Sequence, residues 1–142
     1  MRKVTQELLE TAFFEAWSKE TSADPDGWSK ECPAWGQCAV TCLVAQDYLG
    51  GGILLRASLE SVPGFEFMRS HYWNLLPNPN MPGTIEDLVQ VDFTRSQFPP
   101  DAYSMIPNGD TRSREYILSN VETATRYEIL KERVQQALDV AD

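Results

Sequence analysis

Residues 37 to 49, Gln-Cys-Ala-Val-Thr-Cys-Leu-Val-Ala-Gln-Asp-Tyr-Leu, are apolar around most of the circumference when wound as a helix, and Gly50, Gly51 and Gly52 follow as a stop. A helix of this kind is stable only when other elements cover it nearly all round. The fold must therefore wrap the rest of the chain around this run. Its β-branched Val40, Thr41 and Val44 keep a strand reading open, but length and the glycine stop favour the helix.

The covering elements follow from periodicity. Leu8, Leu9, Ala12, Phe13, Ala16 and Trp17 recur at helical spacing and predict a first helix over residues 5–18. Residues 20–35 mix Pro, Gly, Ser and Asp around Trp28 and Trp35, a loop with aromatic anchors. Residues 53–57, 66–76 and 88–94 suit a pleated surface and predict three strands, the last two joined as an antiparallel hairpin by the turn-forming segment Pro77 to Gly83. Pro99, Pro100 and Pro107 mark a loop. Two helices are expected beyond it, at residues 112–118 and 125–140. Thr125 to Glu128 fits a capping box for the second, whose apolar face is Tyr127, Leu130, Val134 and Leu138. The chain of 142 residues suits one core. The expectation is a single α+β domain over 1–142, with a mainly antiparallel sheet packed on the buried helix.

Charge narrows the partners. Twelve basic against 21 acidic residues give a net charge of −9, which disfavours nucleic acid and anionic membrane surfaces. Arg112, Arg114, Arg126, Lys131 and Arg133, interleaved with Glu, read as a solvated helical face. No window approaches the ~18 apolar residues of a membrane span, and Met1 to Glu7 lacks the apolar block of a secretory signal, so a cytoplasmic protein is expected. Three cysteines in such a setting should be free thiols. The phosphate-cradling glycine motifs are absent and no cofactor is expected. Cys32, Cys38, Cys42 and His71 match no usual zinc spacing, so no metal is expected either.

Cys38 stands at the start of the buried helix, directly after Trp35-Gly36-Gln37. Free amides and the helix dipole at such a position favour a thiolate, the small Gly36 admits a substrate to the backbone, and a backbone N–H there can meet an oxyanion. His71, the only histidine, lies on the second predicted strand and is the sole imidazole available as a base. A hairpin centred near residue 82 pairs residues whose numbers add to about 164. His71 and Asp92 fall within a residue of that register, whereas Asn74, three positions along, takes the other face. Plainer roles stand beside these: Cys38 as a small core residue, Asp92 as a cap toward Thr94, and the tryptophans Trp17, Trp28, Trp35 and Trp73 as packing. Cys42 reads as core and Cys32 as a loop thiol.

The segments Trp17 to Thr21, Gly36 to Thr41, Ser70 to Asn74, Val91 to Thr94 with Gln97-Phe98, and Arg114 to Asn120 with Arg126-Tyr127 resemble the YunG-like family of bacterial proteins along nearly the whole chain. More distantly, Cys at a helix start, then His on a strand, then Asp on the next is similar to the papain-like superfamily, above all its transglutaminase-like and arylamine N-acetyltransferase branches. That likeness implies a papain-like or transglutaminase-like fold, a nucleophile at Cys38, a base at His71 and an orienting carboxylate at Asp92. It implies thiol-dependent hydrolysis or acyl transfer on an amide or thioester of a small molecule or peptide. Papain-type proteases carry an oxyanion glutamine several residues before the nucleophile; here Cys32 occupies that region. Gln37 and Ser18 become the side-chain candidates, with Trp17 and Trp73 as substrate-binding candidates. The alternative is a non-catalytic binding or regulatory protein on the same fold.

Overall fold

The structure, a computed structural model, describes residues 3–78 and 88–141. The all-round apolar run forms α2 (Cys38–Tyr48), and its six consecutive residues Val40 to Ala45 are buried. One side packs on α5 (Val121–Ala141) and the other on β2 (Ser70–Pro77). α1 (Gln6–Ala16) completes the helical layer against α5. Leu9, Phe13 and Trp17 interlock with Val40, Leu43 and Val44 and with Leu130 and Val134. Full burial of each such side chain contributes about 1.5–3 kcal/mol before chain entropy is set against it. Trp17 Nε1 also donates to Thr41 Oγ1 at 2.9 Å, fixing α1 against α2.

The sheet is antiparallel throughout, in the order β3 (Leu88–Val91), β2, β1 (Ile53–Ser58) and β4 (Asp110–Arg112). Asn74 faces α2 and donates to Cys42 O at 2.9 Å. His71, Trp73 and Leu75 take the opposite face, with Ala57 directly across from His71 and Leu55 across from Trp73. The α+β class and the sheet-on-helix packing match the sequence-based expectation. Among the described residues no helix is long and apolar enough to cross a membrane.

Local chemistry moves several boundaries. β2 begins at Ser70 rather than residue 66, because Glu66 turns back to accept the Gly64 N–H at 3.1 Å and Glu66–Met68 close as a 3-10 turn. β3 ends at Val91 rather than Thr94 because the Asp92 carboxylate accepts the Thr94 N–H at 3.1 Å. The loop expected around Pro99 and Pro100 contains a short helix, α3 (Pro100–Ser104), with Pro100 at its first position, where a missing N–H costs nothing. β4, three residues with no apolar alternation, gave no sequence signal. It pairs with the edge of β1. Most of the turn expected at Pro77 to Gly83 lies outside the described residues.

The charged C-terminal face also differs from expectation. Arg114, at the start of α4 (Arg114–Leu118), is half-buried and reaches Leu43 O, Gln46 Oε1, Asp47 and the Tyr127 hydroxyl, tying α4 to α2 and α5. Arg133 pairs with Glu20 and donates to Ser18 Oγ at 2.6 Å. These guanidinium groups have specific acceptors on distant segments, so they are not a uniformly solvated face.

The capping box at Thr125 is one turn late. α5 starts at Val121, and Asn120 Oδ1 accepts the Thr123 N–H at 3.0 Å, while the Thr125 hydroxyl sits inside the helix and donates to Val121 O at 3.0 Å. Asn120→Ala is therefore expected to destabilise the protein by about 1 kcal/mol. Thr125→Ala should cost less than about 0.5 kcal/mol. Urea unfolding of the two variants measures the difference, and equal losses would restore the later helix start.

Candidate active site

Gly36 shapes the approach to Cys38. Its φ of +71° belongs to glycine, and a Cβ there would meet Ser22 Oγ at 2.4 Å. Ala23 N donates to Gly36 O at 2.8 Å, which holds residues 18–23 against the chain entering α2. Gln37 then occupies the N-cap without a side-chain cap bond. Cys38 opens the helix half-buried, its Sγ 4.0 Å from Ser70 O, one residue before His71.

His71 is 1% exposed. Trp73 stacks on its ring at 5.4 Å and Phe98 meets it edge-on at 4.9 Å. Nε2 and Asp92 Oδ2 are 2.6 Å apart. The register explains how they meet. Asn74 lies opposite Val91, so pair numbers add to one more than expected. Continuing that register puts Asp92 across from Trp73, on the face His71 shares; the register expected from the turn would have put it across from Tyr72, on the other.

The two oxygens of Asp92 divide its roles. Oδ1 accepts from Thr94 N at 3.1 Å and Thr94 Oγ1 at 3.3 Å, the capping role considered from sequence. Oδ2 takes the imidazole and the Tyr103 hydroxyl, the latter at 2.9 Å. Tyr103 comes from α3, and Arg95 lies over its ring at 4.5 Å. Burial, then the charge and hydrogen bond of Asp92, push the Tyr103 pKa up to about 12 against the pull of Arg95, so it donates as a neutral phenol.

Burial alone would pull the His71 pKa down. The hydrogen bond to Asp92, then the nearby Cys38 sulfur and the Asp92 charge, outweigh it and raise the value from 6.5 to about 9. Nε2 being taken by Asp92, Nδ1 is the nitrogen left for the thiol, and it makes no hydrogen bond of ordinary geometry. Cys42 is buried, with its pKa pushed well up by desolvation, and its Sγ lies 3.1 Å from Ala39 O. Burial also raises the pKa of Cys32 on the approach loop. Among the described residues no group of three His, Cys, Asp or Glu is placed to hold a metal ion.

The other candidates separate. Trp73 stands at the site as a wall of His71, its Nε1 donating to Gln90 Oε1 at 3.0 Å. Trp17 is core, and Ser18 Oγ is taken by Arg133, so neither is available to a substrate in this arrangement. Gln37 is fully buried, with Nε2 donating to Ser18 O at 2.9 Å. Sequence reasoning missed Tyr103, because its helix was read as loop; it weighed Thr94 only as the partner of an Asp92 cap and noted Gln97 only within a family-like segment. Two cavities flank the imidazole and carboxylate: one of about 290 Å³ walled by Leu55, Trp73, Leu75 and Ile106, and one of about 380 Å³ beside Asp92, Arg95 and Tyr103. Cys38 lines neither.

Fold and site together define an α+β protein in which a four-stranded antiparallel sheet holds a carboxylate-bound histidine next to a helix-tip cysteine. The profile of the YunG protein family matches residues 5–139, and the chain belongs to that family. It is 33% identical over 119 residues to the uncharacterized protein YunG of Bacillus subtilis (strain 168), covering 83% of this chain and 81% of the relative. No solved structure gives a significant match.

The raised imidazole pKa makes stability depend on pH. A group whose folded pKa exceeds its unfolded value stabilises the fold fully below the unfolded pKa and stops doing so as pH rises through the folded one. The contribution of His71 is thus present at pH 6 and lost by about pH 9.5, up to about 3 kcal/mol at 1.36 kcal/mol per pH unit. The urea-stability gap between wild type and Asp92→Asn should narrow over that window. A gap that widens toward alkaline pH contradicts the ion pair.

Proposed function

We propose that this protein is a thiol-dependent hydrolase or acyltransferase acting on an amide or thioester through Cys38, His71 and Asp92. The observation that carries the reading is the His71 ring held by Asp92 at 2.6 Å on one nitrogen, with the other unpartnered and Cys38 Sγ 4.0 Å from the carbonyl of the preceding Ser70. Contacts of catalytic groups are often long before substrate arrives, which fits a thiol and imidazole that are close without a well-formed hydrogen bond.

In this reading His71 already carries the proton of the Cys38 thiol before attack, and Sγ adds to the carbonyl carbon, placing negative charge on the carbonyl oxygen. Collapse breaks the C–N or C–S bond and His71 returns the proton to the departing amine or thiol. Water, or an acceptor nucleophile, then releases the acyl group from sulfur. A pKa of about 9 keeps His71 protonated at neutral pH, the state that serves as an acid and that suits a thiolate partner. With Gln37 and Ser18 committed elsewhere, and no side chain capping α2, its first-turn amides are the donors nearest a developing oxyanion.

The finer fold assignment belongs to the same proposal. Cysteine at the tip of a buried helix, histidine on a strand of an antiparallel sheet packed against that helix, and aspartate just past the neighbouring strand support a papain-like or transglutaminase-like arrangement. Three free cysteines fit the reducing cytoplasm.

Iodoacetamide should modify Cys38 at least about tenfold faster than Cys32 or Cys42, and p-nitrophenyl acetate should leave an acetyl group on Cys38 visible by mass spectrometry. His71→Asn should slow acylation by about 10²-fold or more, and Asp92→Asn should slow it too. Equal, slow labelling of all three thiols with no acyl adduct would favour the non-catalytic binding protein.

A further inference from the structure

A buried polar path joins the loop that delivers Cys38 to the carboxylate that orients His71. Gln97, 3% exposed, closes the 3-10 turn Arg95–Gln97. Its Oε1 accepts the Gly36 N–H at 3.1 Å, and its Nε2 donates to Thr94 Oγ1 at 3.2 Å. Thr94, 2% exposed, donates in turn to Asp92 Oδ1 at 3.3 Å. Each end of one amide thus serves a different half of the candidate site. Gly36 lies two residues before Cys38, and Asp92 lies 2.6 Å from the imidazole.

We infer that Gln97 is a positioning residue, setting the separation of the Cys38 helix tip from the His71–Asp92 pair through Gly36 on one side and Thr94 on the other. The inference rests on the thiol-acyl chemistry proposed above. Immobilising a long amide costs side-chain entropy, and burying it costs hydration unless both its ends are bonded. Methionine, with nearly the same length, would fill the space without those demands. What Gln97 adds over an apolar filler is direction: it ties Gly36, at positive φ, to a turn some 60 residues further along the chain. Proton transfer between sulfur and imidazole is steep in distance, so a shift on the order of 1 Å suffices to lower reactivity about 10²-fold.

Gln97→Met and Thr94→Val each remove one link at nearly constant volume. Because His71 is the only histidine, its ring Cε1–H proton gives an isolated NMR titration. Both variants should slow iodoacetamide labelling of Cys38 by at least about tenfold relative to Cys32. They should also lower the His71 midpoint by about one unit as Asp92 loosens. The double variant should be no slower than the slower single one, since both cut the same path. A folded Gln97→Met protein that merely melts earlier, with wild-type labelling and midpoint, overturns the positioning role; if that variant does not fold, Thr94→Val carries the same test. Wild-type Cys38 that reacts no faster than Cys32 sinks the thiol chemistry itself, and the inference with it. A fast wild-type Cys38 left unchanged by both variants sinks the Gln97 inference alone.

Discussion

Burying an imidazole and a carboxylate 2.6 Å apart obliges the chain to account for the remaining polar atoms of the carboxylate. The carboxylate keeps unused lone pairs, and each must find a donor or lose its hydration uncompensated. Thr94 supplies two donors by turning back directly after Asp92, which ends β3 at Val91. Tyr103 supplies a third, which requires a further element beside Asp92; α3 is that element. The ring's faces and edges are apolar surface and meet Trp73 and Phe98. The strand end, the extra helix and the aromatic walls follow from one contact. Removing one partner alone would strand the other, which in buried pairs typically costs about 3–5 kcal/mol.

The strongly patterned parts of the chain were legible from sequence. α1, α2 and the apolar face of α5 are set by the spacing of Leu9, Phe13, Val40, Leu43, Tyr127, Leu130 and Val134, and burial enforces that spacing whatever happens elsewhere. What escaped depends on single hydrogen bonds. Asn120 rather than Thr125 caps α5 because an asparagine side chain one turn earlier reached Thr123 N first. Glu66 folding onto Gly64 shortened β2, and no periodicity reports such a contact. β4 is only Asp110–Arg112, held by the edge of β1, so its strand character comes from its neighbour.

At the site, nearness in the sheet was legible and detail was not. The expected register differed by one from that of Asn74 and Val91, and because side chains alternate, that single step decides which face Asp92 takes. Asp92 rather than Asn74 meets the His71 ring, since Asn74 is bound to Cys42 O on the far side of the sheet. Tyr103 and Gln97 act through tertiary contacts 11 and 61 residues from their partners, Asp92 and Gly36, and neither carries a local pattern pointing there. Ser18 and Trp17 were candidates for their side chains, within a segment that carries the family resemblance. Arg133 and Thr41 had already taken their polar atoms.

The unpartnered Nδ1 of His71 bears on what the arrangement is for. A histidine kept only to satisfy a core would be expected to bond both nitrogens, since a buried polar atom left alone costs about 1–3 kcal/mol. Here one nitrogen is held tightly, and the carboxylate holding it is itself held by Thr94 and Tyr103. The other nitrogen is buried without a bond beside a half-exposed thiol. Cys42, one turn along the same helix, shows the contrasting case: fully enclosed, with its sulfur against Ala39 O. Holding one end of a ring rigidly and leaving the other unmet is poor economy for packing alone. The acyl chemistry proposed above needs a ring held in this way, able to keep the Cys38 proton and deliver it to a leaving group.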